Sequence, residues 1–210
     1  MRNVFDVYSE EYDRWYERNR FAYLSEIQAL KKVVPKKGRG LEIGVGTGRF
    51  ARALGVSVGI DPSESMLRIA RKRKVKAIAA VGENLPFKDG VFDFVLIVIV
   101  LSFVKNPDKV ISESGRVLRN NGKLIVGFVD RESNLGKSYK ILKGKKRKFY
   151  KEANFYSAEE VLELLKKHGF GNFAVFQTIF RPIKEIKQTE KPEEGSGRGG
   201  FVVICGEKEW

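Results

Sequence analysis

A glycine at every second position, directly after a short apolar run, most limits what this 210-residue chain can fold into. In Leu41-Glu42-Ile43-Gly44-Val45-Gly46-Thr47-Gly48-Arg49 the apolar residues read as a buried strand. The alternate glycines let the backbone turn sharply into a helix and leave no side chain to obstruct a ligand. A second apolar run, residues 56–60, closes on Asp61. A carboxylate in that place lies at the ligand edge of a parallel sheet, where its two oxygens accept hydrogen bonds from ribose hydroxyls. The pair of features points to a nucleoside-bearing ligand. Asp61 is also placed to cap a helix beginning at Pro62, a reading compatible with the first.

The remaining chain alternates helical and strand patterns. Phe5, Tyr8, Tyr12 and Trp15, then Leu24, Ile27, Leu30 and Val34, recur at helical spacing and predict two N-terminal helices, a cap over residues 1–36. Residues 75–81 and the almost wholly apolar 92–101 read as strands, the second buried on both faces. Asn106-Pro107-Asp108 starts a helix that Asn120-Asn121-Gly122 ends, and residues 123–129 form a fifth strand. Ser157-Ala158-Glu159-Glu160 is a capping box for a helix that Gly169 closes. Residues 173–179 and 201–205 are two final strands, and their charged, Pro- and Gly-rich connection, 181–200, is expected to be mobile. The expected architecture is α/β, a single domain over residues 1–210. It has a Rossmann-like, seven-stranded, mainly parallel sheet with helices on both faces and one antiparallel strand near the C-terminus.

Composition narrows the chemistry. The net charge is +14, and half of it falls between residues 130 and 151, where nine Lys/Arg meet two Asp/Glu. A second basic cluster is Arg68, Arg71, Lys72, Arg73, Lys74 and Lys76. The insert over residues 130–156 is expected to contribute to a substrate pocket; its charges either bind RNA phosphate or an acidic substrate, with release of counterions, or belong to a solvated loop. Cys205 and His168 are single, so neither a disulfide framework nor a Cys/His zinc site is expected, and no metal is implied. His168, at a predicted helix C-terminus, reads as structural. No run of about 18 apolar residues is present and the N-terminus lacks an apolar signal region, so a cytoplasmic chain without membrane contact is expected.

Five ordered blocks carry a resemblance: LEIGVGTGRF at 41–50, GIDPSESML at 59–67, GENLPF at 82–87, FDFVL at 92–96 and RVLRNNGKLIVG at 116–127. In them the chain resembles the class I S-adenosylmethionine-dependent methyltransferases, in particular the small-molecule branch that includes ubiquinone and menaquinone methyltransferases. The resemblance implies S-adenosylmethionine as cofactor and S-adenosylhomocysteine as product. It implies that Glu42, Gly44, Gly46 and Gly48 hold the methionine part and that Asp61 takes the ribose hydroxyls. Pro62 and Met66 would flank the adenine, Gly82 and Glu83 would sit at its edge, and Val98, with Ile97 and Ile99, would line the route to the methyl group. Two departures stand out. Val81 occupies the place of an Asp that bonds the adenine amino group in many members, and Ser102-Phe103 replaces a frequent pair of histidines, so no base is implied there.

Methyl transfer from a sulfonium needs alignment of the nucleophile above all, and positioning supplies about 7 to 11 kcal/mol in favourable cases. A base would help a hydroxyl or carbon acceptor, and Asp130 at the end of the fifth strand is the candidate, unless it serves as a loop cap. Tyr12, with Trp15 and Tyr23, is expected either to close over the site as an aromatic lid or to belong to the core. The expected acceptor is a small molecule. The alternatives are an RNA or protein methyltransferase docking through the basic insert, and a non-catalytic nucleoside-binding module. A nicotinamide-dependent reductase is suggested by Tyr139 and Lys143, but the glycine spacing departs from the dinucleotide pattern. Acceptor identity and oligomeric state are left open by the sequence.

Overall fold

The computed structural model describes residues 4–144, 149, 151 and 153–209. Three helices open the chain: α1 (Val4–Val7), α2 (Ser9–Arg18) and α3 (Arg20–Leu30). They are followed by β1 (Gly40–Ile43), α4 (Arg49–Leu54), β2 (Val58–Asp61), α5 (Glu64–Lys72), β3 (Lys76–Ala79) and β4 (Phe92–Val98). Next come α6 (Pro107–Val117), β5 (Leu118–Val129), α7 (Asn134–Gly144), α8 (Ala158–Lys167) and β6 (Phe170–Thr178). A 3-10 turn at Ile183–Glu185 precedes β7 (Glu193–Glu194) and β8 (Phe201–Lys208).

The strands form one sheet in the order β3-β2-β1-β4-β5-β8-β6-β7. β1 to β5 pair in parallel, while β8 lies antiparallel between β5 and β6. The expected α/β architecture is therefore present, with the antiparallel strand near the C-terminus. The eighth strand is the two-residue β7, which pairs with β6 at the sheet edge. Strand order reverses between β1 and β4, and the carboxyl ends of these two strands frame the crevice where sheets of this kind take ligands.

Alternation along β4 divides the core. Phe94, Leu96 and Val98 face a cluster built with Tyr16, Leu30, Phe50 and Leu67, from α2 to α5. Phe92, Val95 and Ile97 face the opposite cluster with Val110, Ile111, Val161 and Leu165, from α6 and α8. Each fully buried aliphatic side chain of these layers contributes about 1.5 to 3 kcal/mol. Because side chains on paired strands share faces, Glu42, in register with Leu96, points into the layer that carries the N-terminal cap.

Local chemistry sets the element ends. Asn106 accepts from the Lys109 N–H at the start of α6, and the Ser157/Glu160 capping box opens α8 as expected. Several expectations were displaced. The first helix pattern is split at Tyr8, and the N-cap of α5 is Ser63 rather than Asp61. Strand β5 begins at Leu118, which pairs with Phe92; Asn121 then takes a left-handed conformation (φ 59°) and the chain bulges before rejoining β4 at Lys123. The 181–200 connection is held by hydrogen bonds: the Glu190 N–H donates to Ser25 Oγ (2.9 Å), and Gln177 Oε1 accepts from the Arg198 and Gly199 N–H groups. Its backbone N–H groups find acceptors on buried side chains elsewhere in the chain, and Glu190 accepts in turn from the Phe180 N–H, which a composition argument does not register. Among the described residues no helix is long and apolar enough to cross a membrane.

Candidate active site

The loop after β1 turns on glycines with positive φ. At Gly44 (φ 68°) an added Cβ would stand 2.2 Å from Val100 Cγ2, so any side chain there is excluded by packing as well as conformation. At Gly46 (φ 50°) the same addition meets nothing nearer than Tyr12 Cε1 at 3.9 Å. Its open side faces a small cleft of about 20 Å³ lined by Tyr12, Tyr16, Glu42, Gly46, Thr47 and Val98, among others. The sequence-predicted Glu42, Gly44, Gly46 and Val98 thus meet in one place.

Asp61, 8% exposed at the end of β2, ties the two halves of this edge together. Its Oδ2 accepts from the Gly46 N–H (3.0 Å) and its Oδ1 from the Ser63 N–H (2.8 Å). Burial raises its pKa, and these two backbone donors oppose the rise. Glu42 is 1% exposed, and its Oε2 is buried without a hydrogen-bond partner. Burial holds its carboxyl well above the usual range, against a backbone hydrogen bond from Ala51.

The cap is fastened over this edge by charge. Asp13 of α2 accepts from Arg49 Nε (2.8 Å) and Arg49 Nη2 (2.7 Å), and from Arg73 Nη2 (2.8 Å). Burial pushes the Asp13 carboxyl up, but hydrogen bonds from Arg49, Thr47 and Arg73 outweigh it and hold its pKa at about 2. Arg73 also donates to the Thr47 carbonyl (2.8 Å), and the Tyr23 hydroxyl donates to the Arg49 carbonyl (2.9 Å). Nearer the N-terminus, Ser63 Oγ donates to Asp6 Oδ1 (2.6 Å). One arginine of the second basic cluster is therefore spent in clamping the cap.

Beyond the cleft lies a larger cavity of about 240 Å³. Phe5, Tyr12, Trp15, Tyr16, Phe103 and Phe149 line it with aromatic rings. Phe5 stacks with Phe149 (5.7 Å) and meets Tyr12 (5.7 Å) and Phe103 (5.2 Å) edge-on. Tyr12 and Tyr16, whose hydroxyls are hydrogen-bonded at 2.8 Å, line both cavities. Of the expected lid, Tyr12 and Trp15 face the large cavity, while Tyr23 braces the glycine loop. Ile99 on the same wall has φ 65°, an unusual conformation for a β-branched residue, immediately after β4. Glu26 of α3 also lines the cavity; it is 4% exposed, its Oε2 has no hydrogen-bond partner, and burial raises its pKa to about 8.

The other predicted residues are distributed around this centre. Pro62 is exposed beside Asp61, whereas Met66 is 2% exposed and packed in the core under Ser63. Gly82 packs closely against Ile43 and Val110, and Glu83 accepts from the Lys105 and Asn106 N–H groups ahead of α6. Asp130 does not line the cavity, whose nearest members are Val129 and Leu135. It caps a turn instead, its Oδ1 accepting from the Glu132 N–H (3.0 Å), because strand β5 ends in a bend that needs an acceptor there. Of the basic insert, α7 contributes Leu135 and Tyr139 to the cavity, and residues 145–148 lie outside the described residues. Glu26 and Asp13 went unnoticed in the sequence. The signal for Glu26 is its place on the buried stripe of α3, with Ala22, Ala29 and Leu30 at helical spacing.

A glycine loop after the first strand, a buried acid closing the second and a crevice at the switch in strand order define an α/β protein built for a nucleoside cofactor. Residues 41–126 match the methyltransferase domain family. An uncharacterized protein of Methanocaldococcus jannaschii is 55% identical, with 98% of this chain and 99% of that one covered. The solved structure of a SAM-dependent methyltransferase of Thermotoga maritima, described as a possible histamine N-methyltransferase, superposes with a TM-score of 0.94 at 50% identity over 98% of both chains. A demethylmenaquinone methyltransferase of Clavibacter sepedonicus is 33% identical over 59% of this chain and 55% of its own. The chain belongs to the S-adenosylmethionine-dependent methyltransferases. It is an enzyme of that family, and S-adenosylmethionine is its cofactor.

Proposed function

We propose that this chain transfers the methyl group of S-adenosylmethionine to a small organic molecule held in the aromatic cavity. The observation that carries the reading is the join between the two cavities: Tyr12 and Tyr16 line both the cleft at the glycine loop and the larger chamber beyond it.

The residues of the first cavity fit the donor. Glu42 offers a buried, unpartnered carboxylate oxygen to the methionine ammonium. Asp61 uses one lone pair of each oxygen on backbone N–H groups and keeps the other for the ribose hydroxyls. Pro62 supplies adenine-facing surface, while Met66 supports it from below. When bound, the sulfonium presents a methyl group to in-line displacement, in which the acceptor's lone pair forms the new bond as the carbon–sulfur pair passes to sulfur. The chain's own part is alignment and exclusion of water by the clamped cap.

The second cavity decides between acceptors. Its wall is aromatic, with Glu11, Glu26 and Arg18 as its charged side chains, a poor match to polyanionic RNA. A volume of about 240 Å³ suits a small ligand. The Thermotoga relative's description as a possible histamine N-methyltransferase supports a small acceptor too. Incubating the enzyme with methyl-labelled S-adenosylmethionine and a cell extract should place label in the low-mass fraction; label confined to RNA or protein overturns this reading. Asp61→Ala should weaken S-adenosylhomocysteine binding at least tenfold in calorimetry, the loss of two charge-assisted hydrogen bonds.

A further inference from the structure

Among the described residues, two buried side-chain atoms have no hydrogen-bond partner, Glu42 Oε2 and Glu26 Oε2. One lines each cavity. A buried carboxylate oxygen without a donor is costly, and it persists where a ligand supplies the missing partner. Glu42 is accounted for by the ammonium of the donor. Glu26 has no such account: it stands on the large cavity, which is lined mainly by aromatic residues.

We propose that the acceptor is a small organic ammonium compound and that Glu26 anchors it inside the aromatic cavity. This rests on the reading of that cavity as the acceptor site. The chemistry is complementary on both counts, since aromatic walls attract a cation over their faces and a buried carboxylate accepts its N–H groups. The other charged side chains at the wall are less committed to the interior: Arg18 is exposed and Glu11 half-buried, while Glu26 is 4% exposed.

An ammonium must lose a proton before its nitrogen can be methylated. Glu26 takes that proton: one N–H bond breaks, an O–H bond forms on the carboxylate, and the nitrogen keeps the electron pair for the new bond to carbon. The proton then leaves Glu26 for solvent, and the product departs as the methylated ammonium. The groups facing Glu26 are Tyr16 of α2 and Tyr23 of its own helix, with Tyr12, Glu11, Arg18 and Tyr139 on the same cavity wall. Burial lifts the Glu26 pKa to about 8, which narrows the gap to an alkylammonium from about six pH units to a little over two.

The test uses the full chain saturated with S-adenosylhomocysteine, and calorimetry with amines from ethylamine to 2-phenylethylamine, each beside the alcohol of the same skeleton. At least one amine should bind about tenfold more tightly than its alcohol, and Glu26→Gln should abolish that preference while S-adenosylhomocysteine affinity stays within about twofold. Equal binding of every pair, or a preference that survives in Glu26→Gln, overturns the assignment. Binding of S-adenosylhomocysteine with no amine bound overturns the ammonium and leaves the methyltransferase reading standing; failure to bind S-adenosylhomocysteine strikes that reading itself. Were Glu26→Gln not to fold, wild-type titrations in two buffers of different ionisation enthalpy carry the same test. Amine binding near pH 7 should release about one proton, and release of none overturns the proposal.

Discussion

Three carboxylates in the cap and sheet respond to pH in opposite directions. Glu26 has a folded pKa of about 8 against 4.5 for the free side chain, so the folded state holds its proton more tightly. Its contribution to stability is complete below pH 4.5 and is lost as pH rises through about 8. Wild type should therefore lose stability relative to Glu26→Gln across that window, by up to roughly 1.4 kcal/mol per pH unit, measured by chemical denaturation at several pH values. Glu42 is present in both proteins and cancels from the comparison. Glu42→Gln should reduce S-adenosylhomocysteine affinity about ten- to a hundredfold without lowering the melting temperature, since the buried Oε2 has no hydrogen-bond partner to lose before the ligand arrives. At this scale the sequence was legible where chemistry is local. Gly44, Gly46 and Asp61 announce themselves by adjacency to apolar strands. Glu26 does not, because its meaning comes from α2 and α7 closing a wall around it. Asp130 misled for a related reason: the end of a strand is a place for catalytic acids and for turn caps alike, and only the fold distinguishes them.

The elements that carry the cap hold to the sheet at a charged seam. Asp13, with its pKa held at about 2, contributes stability that is present above pH 3.8 and lost as pH falls through about 2. Asp13→Asn should cost about 1 to 3 kcal/mol at pH 7, read by denaturation, and should speed proteolytic cleavage within α2 and α3. At the loop after β1, Gly44→Ala forces a β-carbon into Val100 and a left-handed backbone on alanine. A loss of roughly 2 kcal/mol or more is expected in a thermal melt. Elements with strong periodicity or caps, such as β4, α6 and α8, were readable in the sequence. The split of the cap at Tyr8, the bulge that lengthens β5 and the inward hydrogen bonds of the 181–200 connection were not. Each depends on a partner distant in the chain: Glu190, for example, meets Ser25 across 165 positions.

Across the whole molecule the charge balance of +14 works against compactness. Raising sodium chloride from about 0.05 to 0.5 M should lift the melting temperature by a few degrees through screening, although the Asp13 clamp itself weakens. A fall in melting temperature would mean that the ion pairs, and not the repulsion, dominate. The cleft at the glycine loop draws its walls mainly from the ends of β1 and β4 and the loop itself, and the larger cavity from the cap, α7, Phe149 and Phe155, with Ile99, Ser102 and Phe103 after β4 and Val129 of β5 completing it. Tyr12 and Tyr16 are the partition between them. A lineage carrying this fold can therefore exchange one acceptor for another by altering its first helices and the stretch after α7, while inheriting the donor machinery intact. The two tyrosines alone answer to both inheritances, which makes them the slowest part of the acceptor wall to change.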